Sequence, residues 1–166
     1  RAPLFADAVS AAKAPRLRPV LGRLTAFKPN RMEAELLSGV RIANLGDARA
    51  AAGRLLDTGL ERVFITLGPD GVFAAEKGCE CYLPSLAPRL KNATGAGDSF
   101  MAGLLYSTAQ RYWLGDTMDF AMGAALAALQ ARTTINPAIS PELIWQLVRE
   151  QKRPRTPVIP TGLTGK

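Results

Sequence analysis

Short apolar runs alternate with helical stretches along most of this 166-residue chain, and this alternation constrains the fold more than any other feature. Residues 62–67, RVFITL, form a nearly continuous β-branched and apolar run of the kind found in buried parallel strands. Residues 47–57 precede it, are rich in Ala, Arg and Leu, and end near Gly59, which predicts a helix with its stop signal. Strands that alternate with helices predict an α/β fold, with helices covering the faces of one sheet.

The remaining elements are predicted from the same patterns. Three more strands are expected, at 24–27, 72–75 and 79–83, and the chemistry of Pro69-Asp70-Gly71 predicts a turn before the second of them. Four more helices are expected, at 32–37, 99–112, 118–132 and from Ser140 onward. The helix at 99–112 should be buried through a broad apolar face made of Phe100, Met101, Leu104, Leu105 and Thr108.

The composition fits a globular domain with its own core. Hydrophobic residues make up 48% of the chain and charged residues 21%, and this length is enough to bury a sizeable core. No apolar run approaches the 18 or so residues that a membrane helix needs, and the first residues lack the basic start and apolar middle of a secretory signal. We therefore expect no membrane partner and no secretory signal.

The two cysteines predict a reducing environment. Cys79 and Cys81 are separated by one residue within a predicted strand, where a disulfide between them would be strained. Free thiols and a cytoplasmic location are therefore expected. The chain has no histidine and no second cysteine pair, so the ligands of a zinc site are missing.

A net charge of +7 raises the hypothesis of a nucleic-acid partner. Several basic residues lie near the two ends of the chain: Arg16, Arg18, Arg23, Lys152, Arg153, Arg155 and Lys166. None is interleaved with aromatic residues, as a base-stacking surface requires. A solvated basic surface explains the charge, and a polyanionic nucleotide would also benefit from it, so we expect no nucleic-acid partner.

Residues 92–100, NATGAGDSF, combine a small-residue turn with one carboxylate at the start of an apolar helix. Gly95, Ala96 and Gly97 carry almost no side chain, so their backbone N–H groups can approach a phosphate closely, and glycine allows positive φ angles. The positive end of the following helix points to the same place. Asp98 stands beside these amides, where a carboxylate can accept a proton from an attacking hydroxyl. The pattern indicates phosphoryl transfer.

Structural explanations of the same residues stay open. Asp after a Gly-x-Gly turn is commonly a helix cap. A Walker-type phosphate loop is a poor match, because Lys would follow its last glycine, whereas Asp follows Gly97 here. Asn30 and Glu33 are three residues apart and suit an N-cap with its first helical turn. The small residues of 118–132 suit either tight core packing or the space beside an adenine ring.

Residues 92–100 fit the signature [DN]-x-T-G-A-G-D-x-[FM] of the PfkB (ribokinase-like) carbohydrate and nucleoside kinases throughout. Residues 28–33, KPNRME, resemble the N-x-x-E motif of this family, and residues 66–71, TLGPDG, resemble its T-x-G-x-x-G nucleotide loop, in the expected order. Asn92 and the segment KPNRMEAELLSG at 28–39 are most similar to the pseudouridine kinases within the family. The resemblance implies a ribokinase-like three-layer α/β/α sheet.

The resemblance also implies an activity, the transfer of the γ-phosphate of ATP to a hydroxymethyl (5′-OH) group of a nucleoside or sugar, with pseudouridine as the first choice. Asp98 would act as the catalytic base, and the amides of Gly95, Ala96 and Gly97 would stabilise the transferred phosphoryl group.

Three further residue sets take binding roles by the same resemblance. Nucleotide contacts are implied for Thr66, Gly68 and Gly71. A contribution to positioning magnesium and its waters is implied for Asn30 and Glu33. A contribution to a monovalent-cation site is implied for Asn92 and Thr94.

The resemblance covers about residues 5–150 and corresponds to the C-terminal half of family members, which are about twice as long. The first strands of the large sheet, the small β-sheet lid and most sugar-binding residues would then be absent. We expect residues 1–150 to be the C-terminal part of a PfkB-type kinase domain and residues 151–166, rich in Pro and Gly, to be a disordered tail. A noncatalytic nucleotide-binding or interaction fragment stays open as the alternative, as does a homo-oligomer.

Overall fold

One six-stranded sheet forms the centre of the computed structural model, which describes residues 2–8, 10–85, 95–130, 136–151 and 156–161. The strands are β1 (Phe5–Asp7), β2 (Ala26–Lys28), β3 (Arg62–Thr66), β4 (Val72–Glu76), β5 (Cys79–Leu83) and β6 (Val158–Pro160). They lie side by side in the order of the sequence. The first three pair in parallel, and the last three add antiparallel partners from β3 onward.

Five α-helices within the described ranges connect or cover the strands. They are α1 (Arg31–Ser38), α2 (Leu45–Leu56), α3 (Ala96–Ala109), α4 (Leu114–Gln130) and α5 (Pro141–Glu150). A 3₁₀ segment over Ala14–Arg23 links β1 to β2, and a single 3₁₀ turn over Gly68–Asp70 links β3 to β4. Capping explains several boundaries, since Asn30, Asn44 and Ser140 each accept a backbone hydrogen bond at a helix start.

Alternation along the strands divides the core into two layers of helices, one on each face of the sheet. Phe27, Val63 and Ile65 point to the face covered by α1, α2 and the 3₁₀ segment. Ala26 and Phe64, their sequence neighbours, point to the opposite face and pack against α3 and α4. The expected three-layer α/β/α arrangement is therefore confirmed.

The start of α3 differs from the sequence prediction. The apolar spacing predicts a helix over 99–112, but α3 begins at Ala96, because Gly95 adopts a left-handed conformation (φ 84°) and serves as the N-cap. Residues 96–98 thus form the first helical turn rather than a loop before it. Leu105 is not part of the buried face and is 47% exposed, whereas Phe100 and Leu104 are buried.

The C-terminal segment also differs from the expectation. Residues 156–161 are not a disordered tail: β6 pairs antiparallel with β5, and buried Asp119 of α4 accepts hydrogen bonds from the Thr156 hydroxyl (2.6 Å) and backbone N–H (3.2 Å). The prediction rests on the composition of this segment alone, which gives no information about its hydrogen bonds to Asp119. Within the described ranges, every helix falls short of the length and apolarity needed to cross a bilayer.

Candidate nucleotide and phosphate site

Two of the motifs meet at the carboxyl ends of neighbouring parallel strands. Residues 28–33 follow β2 and residues 66–71 follow β3, so parallel pairing places both loops at the same edge of the sheet. Asn30 forms a β-bridge with Thr66, whose N–H donates to the Pro29 carbonyl at 2.9 Å. The structure thus brings together two motifs that are well separated in sequence, at the edge where ligands of parallel α/β sheets bind.

Asn30 and Glu33 form a capping box at the start of α1. The Asn30 side chain accepts a hydrogen bond from the Glu33 N–H (2.9 Å), and the Glu33 carboxylate accepts one from the Asn30 N–H (2.9 Å). The structural explanation of this pair is therefore confirmed. Glu33 is buried and does not line the groove described below, whereas Asn30 is exposed and does.

The loop at 66–71 is held rigidly by its neighbours. Arg31 of α1 forms an ion pair with Asp70 (2.5 Å), and the Tyr82 hydroxyl donates to the Asp70 carbonyl (2.5 Å). A Cβ at Gly71 would lie 2.1 Å from the Leu83 carbonyl oxygen, so glycine is required there by strand packing. Gly68 also has a positive φ (65°), but it differs from Gly71 because a Cβ added there would have no atom within 4 Å, which leaves its backbone open to a ligand.

The first turn of α3 presents backbone donors without a capping side chain. Gly95 as N-cap makes no side-chain hydrogen bond to the N–H groups that follow it, so the amides at 96–98 stay directed outward. A Cβ at Gly97 would meet only the Lys28 ammonium nitrogen, at 3.9 Å. Asp98 does not cap the helix: it is exposed and lies in the first turn. The arrangement combines anion-binding amides with an available carboxylate.

A groove of about 620 Å³ joins these parts. It is lined by Thr66, Gly68 and Gly71 on one side and by Ala96 and Gly97 of α3 on the other. The described residues therefore bring together five of the seven predicted phosphate, nucleotide and base residues in one groove. Met122, Ala125 and Leu129 of α4 supply an apolar wall.

Asp98 and Gly95 line a second cavity of about 510 Å³, on the other side of the same helical turn. Tyr106 of α3 and Phe120 and Ala124 of α4 form its apolar wall. The first turn of α3 thus separates two concave surfaces: Ala96 and Gly97 line one, and Gly95 and Asp98 line the other. The Asp98 carboxylate is therefore close to the amides of Ala96 and Gly97 but lines a different cavity.

Lys28 is a site residue that the sequence motifs do not assign. It is only 7% exposed, lines the groove, and its ammonium forms an ion pair with Asp7 at 2.7 Å. A buried lysine next to a helix N-terminus is unusual, because both carry positive charge. The only sequence feature that could have indicated Lys28 is its position immediately before Pro29-Asn30. That its ammonium faces Gly97 becomes visible only in the fold.

A resident metal site does not form from the described residues. They contain no cluster of three or more His, Cys, Asp or Glu side chains, and the oxygens of Asn30 and Glu33 are engaged in the capping box. The predicted contribution of Asn30 and Glu33 to positioning magnesium is indirect, through its waters, and it stays a prediction. Asn92 and Thr94, predicted to contribute to a monovalent-cation site, lie outside the described residues.

The cysteines are structural. Both are free, and burial raises the pKa of the Cys79 thiol to about 11 and that of the Cys81 thiol to about 12, with a further contribution from nearby acidic groups. Thiols with such pKa values are protonated at neutral pH and are poor nucleophiles.

Comparison with known proteins agrees with this geometry. Residues 2–141 match the pfkB family of carbohydrate kinases. The chain is 34% identical to a pseudouridine kinase from Escherichia coli K12 over 147 residues, which cover 88% of this chain and 47% of that protein. The chain thus spans about half the length of the curated relatives it matches.

Solved structures show the same relationship. A candidate sugar kinase from Clostridium perfringens superposes with a TM-score of 0.83 at 30% identity, covering 95% of this chain and 48% of that one. The ribokinase of Arabidopsis thaliana, solved with ribose and ATP, superposes with a TM-score of 0.72 at 19% identity, covering 89% and 47%, and shares the fold. With the family match over most of its length, this chain belongs to the pfkB family of carbohydrate kinases.

Proposed function

We propose that this chain binds ATP, with its magnesium, in the groove between the 66–71 loop and α3, and supplies the phosphoryl-transfer residues of a kinase. The observation that carries the proposal is the first turn of α3, where uncapped amides and Gly97 line a groove shared with Thr66 and Gly68, and Asp98 lines the cavity on the other side of the same turn. A helix N-terminus of this kind binds phosphate oxygens through its N–H groups and its dipole.

The residues take distinct roles in the proposed reaction. Asp98 accepts the proton of the acceptor hydroxyl as that oxygen forms a bond to the γ-phosphorus and the bond from phosphorus to the β-phosphate oxygen breaks, which releases ADP. The amides of Gly95, Ala96 and Gly97 stabilise the charge on the phosphoryl oxygens. Lys28, whose ammonium faces Gly97, adds positive charge on the nucleotide side.

The acceptor we propose is a hydroxymethyl (5′-OH) group of a nucleoside or sugar, with pseudouridine first. The KPNRMEAELLSG segment at 28–39 and the similarity to a pseudouridine kinase support this choice. Relatives with other kinase names match at similar identity, including a ribokinase from Haemophilus influenzae at 33%, so the acceptor needs a direct test. Free thiols in the described residues support a cytoplasmic location.

A second candidate is a noncatalytic fragment that binds nucleotide without transferring phosphate. The observation that favours it is length, since the chain spans 47% of the pseudouridine kinase it matches. β1 lies at one edge of the sheet, where an additional strand or a second copy of the chain could pair.

Calorimetry with ATP and magnesium tests the shared part of both candidates. Gly97→Val should reduce ATP affinity at least tenfold, because its side chain would enter the space in front of the α3 amides. Gly53→Val is the matched control. Gly53 is also a helical glycine, a Cβ added there would have no atom within 4 Å, and it lies in α2, away from the groove. Equal ATP affinity in wild type and Gly97→Val would contradict the proposed phosphate site.

ADP release then separates the two candidates. ADP formation that depends on pseudouridine would support the kinase proposal. ADP formation with another nucleoside or sugar, but not with pseudouridine, would make that compound the acceptor. ATP binding without ADP formation on any acceptor, from protein shown to be folded, supports the noncatalytic alternative.

A further inference from the structure

Asp7 and Lys28 form an ion pair at the carboxyl ends of the first two strands. They are register partners in the parallel pairing of β1 and β2, and their charged atoms are 2.7 Å apart. The Lys28 side chain is 9% exposed and that of Asp7 35% exposed, so the ammonium is the deeper of the two groups. Lys28 therefore lines the groove from a largely buried position, and Asp7 is the more exposed partner.

The location of Lys28 is electrostatically unfavourable without an anion. Its ammonium faces the first turn of α3 at Gly97, where the unsatisfied N–H groups carry partial positive charge. Burial adds a desolvation cost, because a lysine ammonium is rarely so buried unless it is paired. Asp7 offsets both costs, and a phosphate group would offset them again in the occupied groove.

We infer that Asp7 is a positioning residue that holds the Lys28 ammonium beside Gly97, so that an entering triphosphate meets an oriented cation. This inference rests on the proposed function, since it concerns the same groove. Asp7 lines neither the groove nor the second cavity, whereas Lys28 lines the groove, so we expect the effect of Asp7 on the nucleotide to pass through Lys28. Without Asp7, the lysine side chain loses its fixed partner and turns toward solvent.

Direct charge and positioning predict opposite effects of Asp7→Asn. A carboxylate near a polyanion repels it, so its removal should tighten ATP binding if Asp7 acted only through its charge. If Asp7 positions Lys28, its removal should weaken ATP binding by about tenfold, within the range measured for coupled contacting residues. The sign of the change therefore distinguishes the two explanations.

A double-mutant cycle tests the route of the effect. ATP affinity is measured by calorimetry for wild type, Asp7→Asn, Lys28→Met and the double variant, each shown to be folded by circular dichroism. We expect Asp7→Asn to weaken binding in the wild-type background and to have no effect in the Lys28→Met background. Glu76→Gln is the matched control, because Glu76 pairs with Arg62 at 2.7 Å across two strands, at the ends of β3 and β4 that lie away from the nucleotide loop.

Chemical labelling gives an independent readout. Asp7→Asn should raise the rate at which an amine-specific reagent modifies Lys28, measured by mass spectrometry, and Glu76→Gln should leave that rate unchanged. Any of three results would overturn the inference: tighter ATP binding in Asp7→Asn, an equal loss of ATP affinity from Asp7→Asn in the wild-type and Lys28→Met backgrounds, or an unchanged rate of Lys28 labelling. A wild-type chain that binds no ATP would instead contradict the proposed function, and the labelling result would still report on the ion pair.

Discussion

Asp98 stands apart from the other acidic side chains near the groove, because it makes no hydrogen bond or ion pair within the part of the chain that the structure describes. Asp7 pairs with Lys28, Asp70 with Arg31, and Glu33 belongs to a capping box. A carboxylate with no structural task at the edge of an anion site is available to accept a proton. It can also be replaced without loss of packing.

Asp98→Asn should therefore leave both the fold and ATP affinity intact. Turnover should fall by about 10²–10⁴-fold, the usual contribution of a general base, because the amide cannot accept the acceptor proton. The measurement is ADP release together with calorimetric ATP affinity, in this chain or in an intact relative that turns over. Unchanged turnover would remove Asp98 from the mechanism.

The individual site residues show what a motif can and cannot predict. Residues 96, 97, 66, 68 and 71 share one groove, as their motifs imply. The reason for glycine at 71 is different from the one expected, since strand packing requires it. The motifs do not predict Lys28 as a site residue, because its proposed role depends on Gly97. These two residues are far apart in sequence and become neighbours only in the folded chain.

Contact between α3 and α4 depends on one glycine. A Cβ at Gly103 would lie 2.6 Å from the Ala121 Cα, closer than any real contact, so the two helices approach backbone to backbone. Because the proposed phosphate site lies in the first turn of α3, this contact fixes that turn relative to the sheet. Ala121 of α4 thus serves packing here, whereas Ala125 lines the groove, so both explanations of the small residues at 118–132 stay open.

Gly103→Ala should lower the free energy of unfolding by about 1–3 kcal/mol, because the helices must separate to admit the methyl group. Gly53→Ala is the opposite control: it lies in α2 in open space and should stabilise the protein by about 0.5–1 kcal/mol through helix propensity. Urea denaturation of both variants provides the measurement. A neutral Gly103→Ala variant would show that the helices can move apart freely.

Most elements with strong local signals lie near their predicted positions. The capped helix α1, the hairpin of β3 and β4, and α5 with its Ser140 cap agree within a few residues. The short strands β1 and β6 are not predicted, because three-residue strands carry little periodicity and are stabilised by pairing partners elsewhere in the sequence. The predicted start of α3 is too late because the sequence does not show that Gly95 is left-handed.

The sheet as a whole is completed at one edge by the last described segment. β6 covers β5, and buried Asp119 of α4 accepts hydrogen bonds from Thr156 just before that strand begins. The Asp119 carboxylate therefore links α4 to the segment that forms β6 at the edge of the sheet. This link protects β5 from pairing with other chains.

Thr156→Val should destabilise the protein by about 1–3 kcal/mol, since it removes one hydrogen bond from a buried carboxylate. The amide protons of β5 should also exchange faster, which hydrogen exchange would detect. Thr58→Val is the control, because its hydroxyl donates to the Leu55 carbonyl (2.7 Å) at an exposed position. Equal losses in the two variants would argue against a special role for Asp119.

The hairpin between β3 and β4 has a consequence for the order of folding. β3 pairs with β4, and β4 with β5, and each partner is the next strand in sequence. Residues 62–83, which include the proposed nucleotide loop, therefore depend on contacts of short range along the chain. Such segments form early, whereas the approach of Gly97 to Lys28 closes a long stretch of chain and comes later. During folding, the proposed nucleotide loop should therefore form before the proposed phosphate-binding turn joins it.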